Sequence, residues 1–229
     1  MIWLGIDTSH TPLAVAVVKD GQVLAEYKSS LKITHSIGAM PAIEELLKKA
    51  NIKPNEIDAI AVAQGPGSYT GVRIGVTIGK TLAWTLNLPI VSVSSLQVLA
   101  ENAPYFPGIV CAIMDARRGN VFAGIYTNGE VVKEAHMSLL ELLNTVDEMR
   151  QPVLFVGMDV DIHWEQIKEV LGDKVQRVNA AFSLPSAAVL IELAKKQQPT
   201  EAHTTVPEYL RITEAEANWM KEQKKHDNE

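Results

Sequence analysis

The sequence has little of three features that define common protein classes. Its 229 residues include one cysteine, Cys111, which cannot form an internal disulfide and so favours a reduced, intracellular protein. No apolar run approaches the ~18 residues needed to span a bilayer, and Asp7 lies too early in the N-terminal segment for a secretory signal. These absences predict a soluble cytoplasmic protein without a membrane partner.

Basic residues are also in the minority. The chain has 21 Lys and Arg against 27 Asp and Glu, a net charge of −6, whereas nucleic-acid binding depends largely on clustered basic side chains. The one short basic cluster, at residues 221–225, lies in a C-terminal stretch that is mixed with acidic residues. We therefore expect no nucleic-acid binding by this chain alone.

The rest of the composition is that of an ordinary globular protein, with 47% hydrophobic and 21% charged residues. A chain of this length buries enough surface to fold without disulfides or a structural metal. Its pattern alternates predicted strands and helices, in the order three strands, helix, strand, helix over residues 2–93. An α/β fold follows from that order.

The second part of the chain begins in the same way as the first. Apolar runs end at Asp7 and Asp115, and predicted hairpin turns contain Gly21 and Gly129; both pairs are separated by 108 residues. A shared offset of this kind indicates an internal duplication. We expect two related halves, residues 1–103 and 104–211, followed by a C-terminal helix or tail over residues 212–229.

A glycine-rich stretch joins a predicted strand to the longest predicted helix. Residues 65–71 read GPGSYTG, a loop whose backbone N–H groups would suit an anion or phosphate at a helix N-terminus. The same glycines are also typical of a tight strand-to-helix connection capped by Ser68 or Thr70. The spacing alone leaves both interpretations open.

The helix after this loop carries small residues on one face. Gly71, Gly75, Gly79 and Ala83 recur every fourth position, and each interior glycine costs about 0.8–1 kcal/mol of helix propensity relative to alanine. Close approach of another backbone would offset that cost. The face packs either on the protein's own sheet or on a partner helix, and the pattern does not distinguish the two.

No metal site is predicted. The six histidines show no spacing typical of metal ligands, and one cysteine cannot form a thiolate cluster. Asp7 and Asp115, each ending the first strand of a half, have the chemistry to orient magnesium and phosphate across a central cleft. An aspartate at a strand end is also a common turn former.

Four motifs together resemble one family. They are residues 4–9 (LGIDTS), 35–41 (HSIGAMP), 65–75 (GPGSYTGVRIG) and 207–211 (PEYLR). The chain resembles the TsaB family, formerly grouped with YeaZ-like "glycoproteases". That resemblance implies an actin/Hsp70-like ATPase (ASKHA) fold of two duplicated βββαβα-type halves. It also implies a role in making threonylcarbamoyladenosine next to the anticodon of transfer RNA.

The resemblance further implies a non-catalytic subunit without a cofactor. In the family's catalytic relative, TsaD, a helix carries two metal-binding histidines, and Ser95 and Leu99 occupy the matching positions here. Neither side chain replaces an imidazole ligand. We expect a scaffold that binds a TsaD-type subunit, recruits a TsaE-type ATPase and pairs with itself when alone, with transfer RNA contacted only through the complex.

Two sets of site residues follow. The expected partner-binding residues lie on the two helices of the first half: His35, Ile37, Met40, Ile43, Leu47, Gly71, Val72, Gly75, Val76, Gly79 and Ala83. The expected remnant phosphate-binding residues are Asp7, Thr8, Ser9, Gly65, Gly67 and Ser68.

The alternative to a scaffold is a stand-alone ATP-dependent enzyme of the actin-like superfamily that uses Asp7 and Asp115. A peptidase, which the older family label suggests, has no readable nucleophile, base and oxyanion arrangement in this sequence.

Overall fold

A computed structural model describes residues 1–31 and 34–211 of the chain. The first half contains β1 Ile2–Asp7, β2 Leu13–Lys19, β3 Gln22–Ser29, α1 His35–Lys49, β4 Ala59–Ala63, α2 Tyr69–Leu86, β5 Ile90–Val93 and α3 Ser95–Ala100. The second half contains β6 Ile109–Asp115, β7 Asn120–Thr127, β8 Glu130–Ser138, α4 Leu139–Glu148, β9 Val153–Val156, α5 Val160–Leu171, β10 Val175–Arg177 and α6 Ala187–Ala194.

Each half forms a five-stranded mixed sheet with the same topology. The strand orders are β3-β2-β1-β4-β5 and β8-β7-β6-β9-β10. Both sheets even contain a β-bulge at the same place, because the register shifts after Val17 in β2 and after Ile125 in β7, again 108 residues apart. The predicted duplication is confirmed.

Each sheet has two covered faces. In the first half, Leu4, Ile6 and Val15 point toward α1 and α2, whereas Trp3, Ala14 and Ala16 point to the opposite face. This alternation follows from the two-residue period of a strand. In the second half, Ile113, Val121 and other apolar residues face α4 and α5.

The helix that ends each half packs on the sheet of the other half. Leu96 and Leu99 of α3 pack against Ala112 and Met114 of β6, and Leu190 and Ile191 of α6 pack against the sheet of the first half. We call the β1–β5 sheet with α1, α2 and α6 the N-lobe, and the β6–β10 sheet with α4, α5 and α3 the C-lobe. Neither sheet is covered on both faces by its own half of the sequence.

Several details differ from the sequence-based expectation. Two short elements, α3 and β10, were not predicted, because segments of six and three residues give little periodicity. Pro41, which the sequence predicts to kink the start of the first helix, lies inside α1. The predicted C-terminal helix or tail at residues 212–229 lies outside the described residues. Within the described part of the chain, no helix is long and apolar enough to cross a bilayer.

Candidate functional site

A cleft of about 860 Å³ lies between the two lobes. Its lining includes the β1–β2 and β6–β7 turns at His10 and Arg117, the glycine-rich loop at Gly67 and Ser68, the starts of α1 and α5 at His35 and Asp159, and the segment that contains Tyr209. The duplication positions the two turns, because each follows the first strand of its lobe. A concave site between lobes is the usual location of a ligand site.

The glycine-rich loop is held tightly against the β1–β2 turn. Ser68 N–H donates to the Ser9 carbonyl at 2.7 Å, and a Cβ on Gly67 would come within 2.0 Å of that same oxygen. Gly67 also has a φ of +155°, which L side chains rarely adopt. Ser68 then caps α2 by accepting a hydrogen bond from Gly71 N–H at 3.3 Å. The loop's glycines are therefore required by this packing.

The phosphate-binding prediction needs correction for four residues. Asp7, Thr8 and Ser9 are buried, with exposed fractions of 0%, 1% and 0%, and they do not line the cleft. The Thr8 hydroxyl donates to the Gly71 carbonyl at 2.7 Å, and Asp7 Oδ1 accepts from Ser9 N–H and Oγ–H at 2.8 and 2.7 Å. Gly65 is also buried, against the Glu208 carbonyl. Only Gly67 and Ser68 of the six reach the cleft.

The contacts of the β1–β2 turn also bear on nucleotide binding, because ATP is the ligand that the expected actin-like ATPase fold implies. A phosphate would need the turn after β1 to face the cleft with free N–H groups. Here the Thr8 and Ser9 backbones contact α2 and the glycine-rich loop instead. The residues present at this turn do not fit the phosphates of ATP.

The partner-binding prediction is wrong for the small-residue face of α2. A Cβ on Gly71 would meet the Thr8 carbonyl at 2.2 Å, one on Gly75 would meet Thr8 Oγ1 at 2.4 Å, and one on Gly79 would meet Val62 Cγ1 at 2.3 Å. Val72, Val76 and Ala83 are likewise in the core. This face packs on the protein's own sheet, the first of the two interpretations that the spacing left open.

Helix α1 divides the predicted residues into two groups. Ile43 and Leu47 are buried in the N-lobe core, so they cannot contact a partner directly. Ile37 and Met40 are exposed by 73% and 45%. His35 lies at the rim of the cleft and its Nε2 is 2.7 Å from the His10 carbonyl.

An exposed tryptophan was missed by the sequence reasoning. Trp84, near the end of α2, is exposed by 79%. It follows Thr77 and Thr81, also exposed, on the side of α2 opposite the glycines. The signal was available, because Trp84 is offset from the Gly79 and Ala83 stripe on the helical wheel.

The floor of the cleft holds two histidine–carboxylate contacts. His10 Nε2 lies 2.7 Å from Asp159 Oδ2 across the lobes, and His163 Nε2 lies 3.0 Å from Asp115 Oδ1. Asp159 also accepts the Asp115 backbone N–H at 2.7 Å. Neither histidine nor Asp159 was singled out from the sequence, because the fold brings them together over about 150 residues.

Two carboxyl groups here have shifted pKa values of opposite sign. Burial by itself would raise the pKa of Asp159, but the His10 contact and the Asp115 N–H outweigh it and lower that pKa. Burial of Asp7 raises its pKa, and its two bonds from Ser9 only partly oppose that effect. Among residues 1–31 and 34–211, no three His, Cys, Asp or Glu side chains are grouped as metal ligands.

Ser95 and Leu99 lie in the interior and not at the cleft. Ser95 is fully buried and its Oγ accepts a hydrogen bond from Gly65 N–H at 3.1 Å. Leu99 packs in the core between α3 and the C-lobe sheet. These two positions therefore serve packing in this chain.

The segment after α6 returns along the N-lobe to the glycine-rich loop. Glu208 N–H donates to the Gln64 carbonyl at 2.7 Å, and Gln64 Nε2 donates to the Glu208 carboxylate at 2.7 Å. Tyr209 stacks on Tyr69 with ring centroids 5.2 Å apart and accepts a hydrogen bond from Arg73 Nε at 2.6 Å. The PEYLR motif thus closes one end of the cleft.

Comparison with solved structures places this architecture in the class of actin-like ATPase folds. The chain superposes on YeaZ from Pseudomonas aeruginosa with a TM-score of 0.77, at 28% identity over 91% of this chain and 99% of that one. It superposes more distantly on the ethanolamine utilization protein EutJ from Carboxydothermus hydrogenoformans, with a TM-score of 0.53 at 16% identity, over 83% of this chain and 89% of that one. The latter likeness concerns the fold alone.

Sequence comparison is more specific. The family model "TsaD: tRNA N6-adenosine threonylcarbamoyltransferase" matches residues 22–219. The tRNA threonylcarbamoyladenosine biosynthesis protein TsaB of Bacillus subtilis is 45% identical over 98% of this chain and 100% of its own length. The chain therefore belongs to the TsaB/YeaZ family, whose members share the TsaD-type domain.

Proposed function

We propose that this protein takes part in threonylcarbamoyladenosine synthesis on transfer RNA as a non-catalytic cytoplasmic subunit. It binds a TsaD-type catalytic subunit through the outer face of α1 and α2, and this pair recruits a TsaE-type ATPase. Transfer RNA is contacted only in the assembly. We define the docking face by Ile37, Met40, Thr77 and Trp84, which replaces the buried residues in the sequence-based set.

The observation that carries the proposal is the exposed apolar character of this face. Ile37, Met40 and Trp84 are exposed on the two helices, and the 18 residues of α2 include only two charged side chains, Arg73 and Lys80. Large exposed apolar side chains on a surface with few charges are typical of protein interfaces.

The arrangement of the cleft supports a role without catalysis. The turn after β1 is occupied by contacts with α2, as described above, and Ser95 and Leu99 are core residues. We therefore propose that this protein contributes a surface that a partner recognises, rather than a set of reacting groups.

The direct test is reconstitution. The purified chain is mixed with its TsaD-type and TsaE-type counterparts, transfer RNA, ATP and the threonylcarbamoyl intermediate made from threonine, bicarbonate and ATP, and transfer RNA modification is measured with each protein left out in turn. We expect modification only when all three are present. Full modification without this chain would reject the proposal.

The isolated chain tests the enzyme alternative. If Asp7 and Asp115 served catalysis, the chain alone would bind ATP with micromolar affinity and hydrolyse it, which calorimetry and phosphate release would detect. We expect neither. We also expect the isolated chain to form a symmetric dimer through the docking face, so sedimentation should show a dimer that the TsaD-type subunit dissociates.

A further inference from the structure

Two glutamates occupy equivalent positions on the outermost strands of the two sheets. Glu26 lies in β3 opposite Ala16, and Glu134 lies in β8 opposite Gly124. Glu134 follows Glu26 by 108 residues and Gly124 follows Ala16 by 108 residues, which is the offset of the duplication. Neither residue takes part in the cleft or in the docking face.

Each glutamate contacts the first turn of a helix that comes from the other half of the chain. Glu26 Oε1 accepts hydrogen bonds from Ser186 Oγ at 2.6 Å and from Ala188 N–H at 3.1 Å, at the start of α6. Glu134 accepts the hydroxyl hydrogen of Ser94, whose Oγ lies 2.8 Å and 2.9 Å from its two carboxylate oxygens, at the start of α3. Both serines are also the N-caps of these helices.

Electrostatics stabilise both of these glutamate–serine contacts. A carboxylate near a helix N-terminus is stabilised by the helix dipole, and hydrogen bonds to an ionised acceptor are stronger than neutral ones. The Glu134 contact has an additional donor, because the buried Tyr126 hydroxyl also bonds to Oε1. A Cβ on Gly124 would meet the Tyr126 ring at 2.6 Å, so glycine at that position makes room for this second bond.

Both serines lie where the chain passes from one lobe to the other. Ser94 is the single residue between β5 of the N-lobe and α3, so its bond to Glu134 joins the end of an N-lobe strand to a C-lobe strand. Ser186 is where the chain enters α6 on its return from the C-lobe. The two crossing segments also touch each other, since Asn102 Nδ2 donates to the carbonyls of Phe182 and Leu184 at 3.1 and 2.7 Å.

We propose that Glu26 and Glu134 form a pair of latches, one at each crossing between the lobes, and that together they hold the two lobes at one fixed angle. Each latch ties the point where the chain crosses between lobes to the edge strand of the lobe that receives the helix. Removing one latch leaves the other crossing fixed. Removing both frees both crossings, so the lobes rotate relative to each other over a wider range. This inference does not depend on the proposed function.

The test measures distances between the lobes. Spin labels are placed on introduced cysteines at Lys49 of α1 and Lys168 of α5, both exposed, and labelled chain is diluted with unlabelled chain so that only intramolecular distances are read by pulsed electron paramagnetic resonance. Cys111 is fully buried and is replaced by alanine in all samples. The variants are Glu26→Ala, Glu134→Ala and both together, with Glu130→Ala on the same edge strand β8 as the control.

We expect the double variant to widen the distance distribution at least about twofold, with single variants and the control close to wild type. A double variant with the wild-type width would overturn the proposal, even if its melting temperature fell. If the double variant does not fold, Ser94→Gly with Ser186→Gly removes the same hydroxyls while keeping a residue that helix N-caps accept. A widened distance distribution in the Ser94→Gly, Ser186→Gly chain then supports the proposal, and the wild-type width overturns it.

Discussion

The two halves of this protein share a topology but differ in their helices. Helix α2 of the first half carries two charged residues among 18, whereas α5, its equivalent in the second half, carries four among 12. The glycine face of α2 also packs on the turn after β1, a contact that α5 lacks glycines to make. Helix α2 is therefore poorer in charge than α5, although α5 also exposes one large apolar side chain, Ile162, by 67%.

The aspartates that end the first strand of each half also differ, in their burial and contacts. Asp7 is fully buried under α2, whereas its equivalent Asp115 lines the cleft and contacts His163. Thr8, which bonds to α2, is replaced by Ala116 in the second half. The close docking of α2 onto the first turn is therefore specific to the N-lobe.

The largest expected effect comes from disrupting the packing of α2 on the N-lobe sheet. Gly79→Leu places a side chain where a Cβ alone would meet Val62 Cγ1 at 2.3 Å, and we expect it to lower the free energy of unfolding by about 3 kcal/mol or more. Denaturant unfolding measures this, with Thr77→Leu on the exposed side of α2 as the control. A stable Gly79→Leu chain that only loses its partner would restore the partner-facing interpretation.

The next effect concerns the docking face. Met40→Asp and Trp84→Asp should each weaken binding to the TsaD-type subunit about 30-fold, because burying a charge at the centre of an interface costs about 2 kcal/mol or more. Leu140→Asp changes an equally exposed apolar residue on α4 (53% exposed) and should leave binding unchanged. Calorimetric titration measures the three affinities, and a loss for Leu140→Asp equal to those for Met40→Asp and Trp84→Asp would contradict the comparison.

A smaller effect is expected at Thr8. Thr8→Val keeps the shape but removes the hydroxyl that donates to the Gly71 carbonyl, so we expect a loss of about 1 kcal/mol in unfolding free energy. Thr77→Val, at an exposed position of α2, should change stability by less than about 0.5 kcal/mol. Thermal and denaturant unfolding of the two variants give the answer; equal effects would mean that the Thr8 bond adds nothing.

The smallest effect is a dependence on pH with opposite signs in the two lobes. The folded-state pKa of Asp7 is raised above 3.8, so its contribution to stability is fully present below that pH and is lost as pH rises through the raised pKa. The pKa of Asp159 is lowered, so its contribution is present above 3.8 and is lost as pH falls through the lowered pKa. Each slope is at most about 1.4 kcal/mol per pH unit.

Asp7→Asn and Asp159→Asn isolate these contributions. The difference in unfolding free energy between wild type and Asp7→Asn should fall with rising pH, and the difference for Asp159→Asn should rise. Denaturant titrations between pH 3 and pH 8 measure both. Two slopes of the same sign would show that burial and the His10 contact do not act as described.

Much of the fold could be predicted from the sequence. The 108-residue offset identified the duplication, and the apolar runs located nine of the ten strands, each end to within three residues. Clear turns such as Asp20-Gly21 and Asn128-Gly129 bound several of these strands. The exchange of α3 and α6 between lobes was not predictable, since it depends on contacts between distant segments.

The site was predicted less well, for a physical reason. A stripe of glycines shows that something approaches closely but not what approaches, and in this protein it is the Thr8 backbone and the sheet. The sequence also does not show whether polar residues at a strand end, such as Asp7 and Ser9, point into a cleft or into the core. Of the predicted partner-binding residues on α1, Ile37 and Met40 are exposed, and their role stays a prediction. Trp84 was overlooked although its offset from the glycine stripe places it on the outer side of α2.

We propose that a partner binds the first-half helices α1 and α2 and not their second-half equivalents. Hydrogen–deuterium exchange of the chain, with and without the TsaD-type subunit, tests it most directly. We predict slower exchange in α1 and α2 upon mixing, with α4 and α5 unchanged. Protection confined to α4 and α5, or none in α1 and α2, would contradict it.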